Sequence, residues 1–130
     1  MARSYHVDIA RHVADSDAKW LDNLLSRFEI PGVAGGRQGQ ARRLSSDGVV
    51  RVALIRRLVL DLGLATADAV IVAGQLLGSA EGTVERSPGL ELRLDRPRLE
   101  REIERAISDA VETVVPARRG RPPGRRVCPG

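Results

Sequence analysis

Four glycines within eight residues, Gly32, Gly35, Gly36 and Gly39, divide this chain into a short front half and a longer rear half. Glycine gains little from a helix and favours turns, so the stretch EIPGVAGGRQGQARRLS, residues 29 to 45, cannot continue a helix from either side. Short strands around Ile30 to Val33 and Gln40 to Leu44 can instead pair as a hairpin with Arg37 at its tip.

In front of that hairpin the apolar residues recur once per turn. VDIARHVA, residues 7 to 14, places Ile9, Ala10, Val13 and Ala14 on one helical face. Asp15, Ser16 and Asp17 then break the pattern, and Asp15 or Ser16 is expected to cap a second helix from about Ala18 to Phe28. Its stripe is Trp20, Leu21, Leu24, Leu25 and Phe28, which leaves Lys19, Asp22, Asn23, Ser26 and Arg27 facing outward. Two short helices joined by a polar break have the outline of a helix-turn-helix, with a hairpin after them as a wing.

Behind the hairpin, Ser45 or Ser46 can cap a third helix to Leu62, burying Val49, Val52, Ala53, Ile55, Val59 and Leu62. Gly63 ends it, and Thr66 is expected to cap a fourth helix from Ala67 to Leu77 that is apolar nearly all round. TVERSPGLELRLD, residues 83 to 95, switches to alternation, which predicts a second hairpin turning at Pro88 and Gly89. Asp95 and Pro97 open a last helix over about 97 to 115, with Leu99, Ile103, Ile107, Val111 and Val114 at heptad-like spacing. Arg98 with Glu102, and Arg101 with Glu104, are placed to support its wet side. After Pro116 the tail ARRGRPPGRRVCPG has too few apolar residues to bury and reads as disordered.

The resulting class is mainly α with small β: residues 1–78 as a winged helix-turn-helix, 79–95 as a hairpin, 96–115 as a C-terminal helix and 116–130 as a basic tail. At 130 residues, one core is all the chain can build. Only Tyr5, Trp20 and Phe28 are aromatic, so that core must be aliphatic.

Charge is zoned along the sequence. Residues 27 to 57 hold seven basic groups against two acids, and 116 to 130 hold five against none, while residues 58 to 115 hold six against eleven. Two basic zones around an acidic stretch suit an anionic partner, above all nucleic acid, that approaches chosen faces. The lone Cys128 cannot form an intrachain disulfide, and neither a secretory signal nor a membrane span is apparent, so the expected compartment is the cytoplasm, without membrane contact. His6, His12 and Cys128 have no zinc-ligand spacing, the glycine stretch lacks the Gly-Lys-Ser/Thr ending of a phosphate loop, and Ser45 and Ser46 read as helix caps. The expectation is a non-enzyme without cofactor or metal.

Three stretches within about residues 5 to 78 resemble the MerR family of winged helix-turn-helix DNA-binding domains. VDIARHVA resembles its first helix, GQARRLSSDGVVRVALIRRL its wing-to-helix passage, and LDLGLATADA its Leu-Gly-Leu turn into the next helix. The resemblance implies that the second helix enters the major groove and that wing arginines contact phosphates. That points to Lys19, Asn23 and Arg27 on the helix and Arg37, Arg42 and Arg43 on the wing. Arg119-Gly120-Arg121-Pro122 resembles an AT-hook, which implies that Arg119 and Arg121 enter an A/T minor groove.

The leading expectation is therefore a small transcriptional regulator that binds double-stranded DNA as a homodimer through its last helix, nucleoid-associated within the cytoplasm. Asp17 and Asp22 depart from the family pattern by placing carboxylates on the reading helix. They point to the rival reading, a winged-helix adaptor or subunit whose second helix meets a protein partner. A third reading is an excisionase-like architectural DNA binder. Arg51, Arg56 and Arg57 on the third helix are either a solvated face or further phosphate contacts.

Overall fold

A computed structural model describes residues 3–36 and 41–113. The chain is mainly helical with two small antiparallel sheets. A short strand β1 (Ser4–His6) leads directly into helix α1 (Val7–Ala14), whose N-terminus is capped by His6: its Nδ1 accepts from the Asp8 N–H at 3.1 Å.

Asp15 ends α1 in the left-handed conformation at φ 55°, one of the few roles a non-glycine residue takes there. The Ser16 N–H then donates to the Arg11 carbonyl, closing the turn. Helix α2 (Ala18–Arg27) begins at once, and its cap is Asp17, whose carboxylate accepts from the Trp20 N–H at 2.7 Å. The expected caps, Asp15 and Ser16, are displaced because Asp15 is needed at the left-handed position and the Ser16 hydroxyl is buried without a partner.

The glycine-rich segment forms the expected hairpin from shorter strands, β2 (Val33–Ala34) and β3 (Arg43–Ser45), with Val33 opposite Leu44 and Ala34 opposite Arg43. The sequence reading missed β1, which pairs with the other edge of β3 and places Tyr5 opposite Leu44. Three residues are too few for alternation to be visible. The sheet order is β1-β3-β2, so Leu44 on the central strand is fully buried.

Ser45 caps helix α3 (Ser46–Leu62), its Oγ accepting from the Gly48 N–H at 3.1 Å. Gly63, at φ 71°, closes it in a Schellman turn in which the Leu64 N–H reaches back to the Leu58 carbonyl. Leu62, expected inside, is 51% exposed at the last turn, where the chain reverses; Leu54 and Leu58 are buried. Helix α4 (Thr66–Gly78) starts one residue earlier than expected. The extended cap position falls on Ala65, so Thr66 is already helical and no side chain caps the helix.

The second hairpin pairs β4 (Thr83–Ser87) with β5 (Leu90–Arg93) around Gly89, and Leu92 and Leu94 pack onto the core while Leu90 stays exposed. Helix α5 (Arg96–Thr113) follows, with Asp95 accepting from the Arg98 N–H at its start. The expected Arg98–Glu102 pair forms at 3.6 Å, and Arg96–Glu100 forms at 3.0 Å; among the described residues Arg101 and Glu104 do not pair with each other.

The largest departure concerns what α5 buries. Leu99, Ile103, Ile107 and Ala110 are buried within the chain, in one cluster with Ile9, Ala10, Val50 and Leu54, and α5 packs on α1 and α3. Ile103 and Ile107, two of the four residues expected to seam a homodimer (Ile103, Ile107, Val111 and Val114), therefore face the chain's own core. The stripe needed covering, and the chain's own helices cover it. Of its described members only Val111 is left largely open, at 51%, and Val114 lies outside the described residues. The expected tail, including Arg119 and Arg121, lies outside the described residues. No helix among the described residues is long and apolar enough to cross a membrane.

Arg57 on α3 ties α5 down by donating to Glu102 at 3.1 Å. That hydrogen bond and charge, with Arg98 adding to them, hold the Glu102 carboxyl below the ordinary carboxylate range. A depressed carboxylate pKa stabilises the fold fully above the ordinary value and loses that contribution as pH falls through the lowered one. Replacing Arg57 with Gln is expected to move Glu102 back toward the ordinary range, measurable by NMR titration of its carboxyl carbon. An unmoved titration would overturn the assignment.

Candidate nucleic-acid interface

Helix α2 is amphipathic, and its buried side fixes what its other side presents. Leu21 and Leu24 are 1% exposed, Trp20, Leu25 and Phe28 are half-buried, and the remainder faces solvent in two neighbouring rows. One row, at four-residue spacing, is Lys19, Asn23 and Arg27, all exposed. Among the described residues none of the three makes a side-chain hydrogen bond or ion pair, although the Arg27 guanidinium lies 5.9 Å from the centre of the Phe28 ring.

The adjacent row is Asp22 and Ser26, and it is occupied. Arg42, in the hairpin loop just before β3, donates through Nη1 to Asp22 Oδ1 at 2.6 Å and through Nη2 to Ser26 Oγ at 3.0 Å. Its side chain is only 22% exposed, against 65% for Asp22. Asp17, the other acid that marks this helix, is the N-cap. Both carboxylates therefore have internal duties, one at the helix start and one at the hairpin.

No family model, curated protein or solved structure matches this chain. The arrangement of its own residues is what bears on function.

Arg43 points across the sheet and is tethered through Nε to Ser4 Oγ at 2.9 Å and through Nη2 to the Ser4 carbonyl at 3.1 Å. It remains exposed, so its charge is still open to solvent. Arg37, at the expected hairpin tip, lies outside the described residues. The structure thus brings Lys19, Asn23, Arg27, Arg42 and Arg43 to α2 and the hairpin beside it, but only the first three stand free there.

The three arginines of α3 separate by partner. Arg51 is held by Asp47 at 3.2 Å and Arg57 by Glu102. Arg56 has no ion-pair partner among the described residues: its guanidinium lies 4.7 Å from the centre of the Trp20 ring, with Nε buried and unpaired. Stacking on indole holds a guanidinium by cation–π attraction and leaves its outer N–H groups available. The sequence spacing of α3 could not distinguish these three; their partners on other elements do.

The sequence does not single out Ser4, and it marks Ser26 only as an outward-facing residue of α2. Their roles as acceptors for hairpin arginines depend on contacts 39 and 16 residues away, and no local pattern signals them.

Proposed function

We propose that this chain is a small DNA-binding regulator of MerR-like winged helix-turn-helix type, in which α2 reads the major groove and the β2–β3 hairpin acts as the wing. The observation that carries the reading is the state of the two acids on α2. Asp17 is engaged as a cap and Asp22 by Arg42, so the outward row that remains is Lys19, Asn23 and Arg27. A cation, an amide and a second cation, one helical turn apart, suit a groove edged by phosphates: amide and guanidinium groups pair with base edges, and lysine with phosphate. The two-helix unit, its three-residue turn and the neighbouring hairpin support the winged assignment.

Arg43 on the hairpin and Arg56 on its indole support contacts to the phosphate backbone, and the sequence adds Arg37, Arg119 and Arg121 to that set. Such a chain works on the nucleoid, in the cytoplasm. The adaptor reading rested on Asp17 and Asp22 meeting a basic partner, and both carboxylates are already engaged within the chain.

Lys19→Ala should weaken all duplexes alike and lower the slope of log K against log salt by about one. Asn23→Ala should instead change which sequence is preferred, by about 1–3 kcal/mol at the base pair it contacts. Selection of bound sequences from a random pool, followed by titrations at two salt concentrations, measures both. A wild-type chain that binds no duplex at low salt would overturn the proposal.

A further inference from the structure

Resting on the DNA-binding reading, we infer that Arg42 and Asp22 form a positioning clamp that sets the hairpin against the reading helix, with Arg42 holding protein where a wing arginine would be expected to hold phosphate. Two observations build the clamp, a forked pair of hydrogen bonds and a close backbone approach. Arg42 forks between two acceptors one turn apart on α2, Asp22 and Ser26, a geometry that a planar guanidinium provides and an ammonium does not. Its stem runs beneath the hairpin backbone: a Cβ on Gly36 would lie 3.0 Å from both Cγ and Nε of Arg42, and Gly36 itself sits at φ +90°. These two hydrogen bonds are also the only side-chain hydrogen bonds, among the described residues, that join α2 to the hairpin. The backbone bonds of β3, the central strand, go to β1 on one edge and β2 on the other.

A reading helix and a wing that bind one duplex must keep a fixed offset, because the groove and its phosphates have a fixed spacing. The clamp supplies that offset from the α2 side. It also reverses what simple electrostatics expects of Asp22. Removing a carboxylate beside DNA raises the net charge by one and should tighten binding, whereas removing half of a clamp should weaken it.

The test is the sign of the effect of Asp22→Ala on duplex affinity, measured on the full chain. The clamp predicts a loss of roughly three- to tenfold despite the added positive charge. It also predicts a shallower salt dependence, because hairpin cations leave the phosphates. Arg42→Lys keeps the charge but cannot fork, so it should lose a similar amount, and the double variant should be no worse than either single one. Tighter binding by Asp22→Ala, or unchanged binding by Arg42→Lys, would overturn the clamp and return Arg42 to the phosphates. If wild type binds no duplex, the DNA reading fails separately, and the clamp is then judged by amide NMR. Asp22→Ala should shift the Gly35, Gly36 and Ala41 resonances and speed their hydrogen exchange while the thermal midpoint holds. Unmoved resonances would overturn it.

Discussion

Ile103→Asp is expected to abolish the cooperative fold, with loss of the helical circular-dichroism signal and no thermal transition. Ile103 is 2% exposed at the centre of the α5 stripe, in the same cluster as residues of α1 and α3. Truncating a buried isoleucine alone costs about 2–5 kcal/mol, and an unpaired carboxylate in the same space adds a desolvation penalty. Stabilities of whole domains lie at about 5–15 kcal/mol, so the combined loss is comparable with everything this chain has. A stripe that serves as a dimer seam would instead give folded monomers on sedimentation. Val111→Asp is the control on the same helix: at 51% exposure it should leave the melting curve unchanged. A folded, normally melting Ile103→Asp monomer would show that α5 does not belong to this core.

The fate of α5 shows where sequence periodicity stops. Its apolar spacing announced the helix and the face it buries, because both depend on residues three and four apart. It could not say which surface covers that face, since a neighbouring subunit and the chain's own α1 and α3 satisfy the same stripe. The other helices were legible for the same local reason, and their errors are local too. Asp15, Ser16 and Asp17 are all good capping residues, and only the backbone angle at Asp15 decides that Asp17 takes the cap. Strand β1 escaped notice because three residues show no alternation, and its existence depends on pairing with a strand 39 residues away.

The site divides in the same manner. Which residues of α2 face outward followed from the positions of Leu21 and Leu24, so Lys19, Asn23 and Arg27 could be named from the sequence. Asp22 stood out as an acid on the wrong helix, yet its meaning lay in Arg42, 20 residues away. Likewise Arg51, Arg56 and Arg57 are alike in sequence and differ only in what other parts of the chain offer them: Asp47 one turn earlier, the Trp20 ring, and Glu102 of α5. Charge counts located the basic zone, but pairing decides which of its members remain free to act.

Gly48→Ala should be destabilising where helix propensity says the opposite. Inside a helix, alanine in place of glycine ordinarily gains roughly 0.5–1 kcal/mol. Gly48, however, is buried in the first turn of α3, and a Cβ there would lie 2.6 Å from the Gly32 carbonyl oxygen and 2.9 Å from its carbon. Both obstacles are backbone, and that carbonyl cannot easily retreat because it accepts from the Ser45 N–H at 2.8 Å. Gly32 is itself at φ +91°, and its own Cβ would meet Gly48 N at 2.6 Å, so the two glycines cross at a separation that only glycine permits. Forcing a methyl group into such a contact costs about 1–3 kcal/mol, which exceeds the propensity gain. The expected result is a melting temperature lower by several degrees, together with weaker duplex binding, because the crossing anchors the base of the hairpin to α3. Gly74→Ala supplies the opposite sign in the same experiment: it is an exposed position on α4 where, beyond the helix's own backbone, no described residue comes within 4 Å of the new Cβ, and it should raise the melting temperature. Equal shifts for the two variants would mean that helix propensity alone governs Gly48 and that α3 and the hairpin do not meet at this crossing.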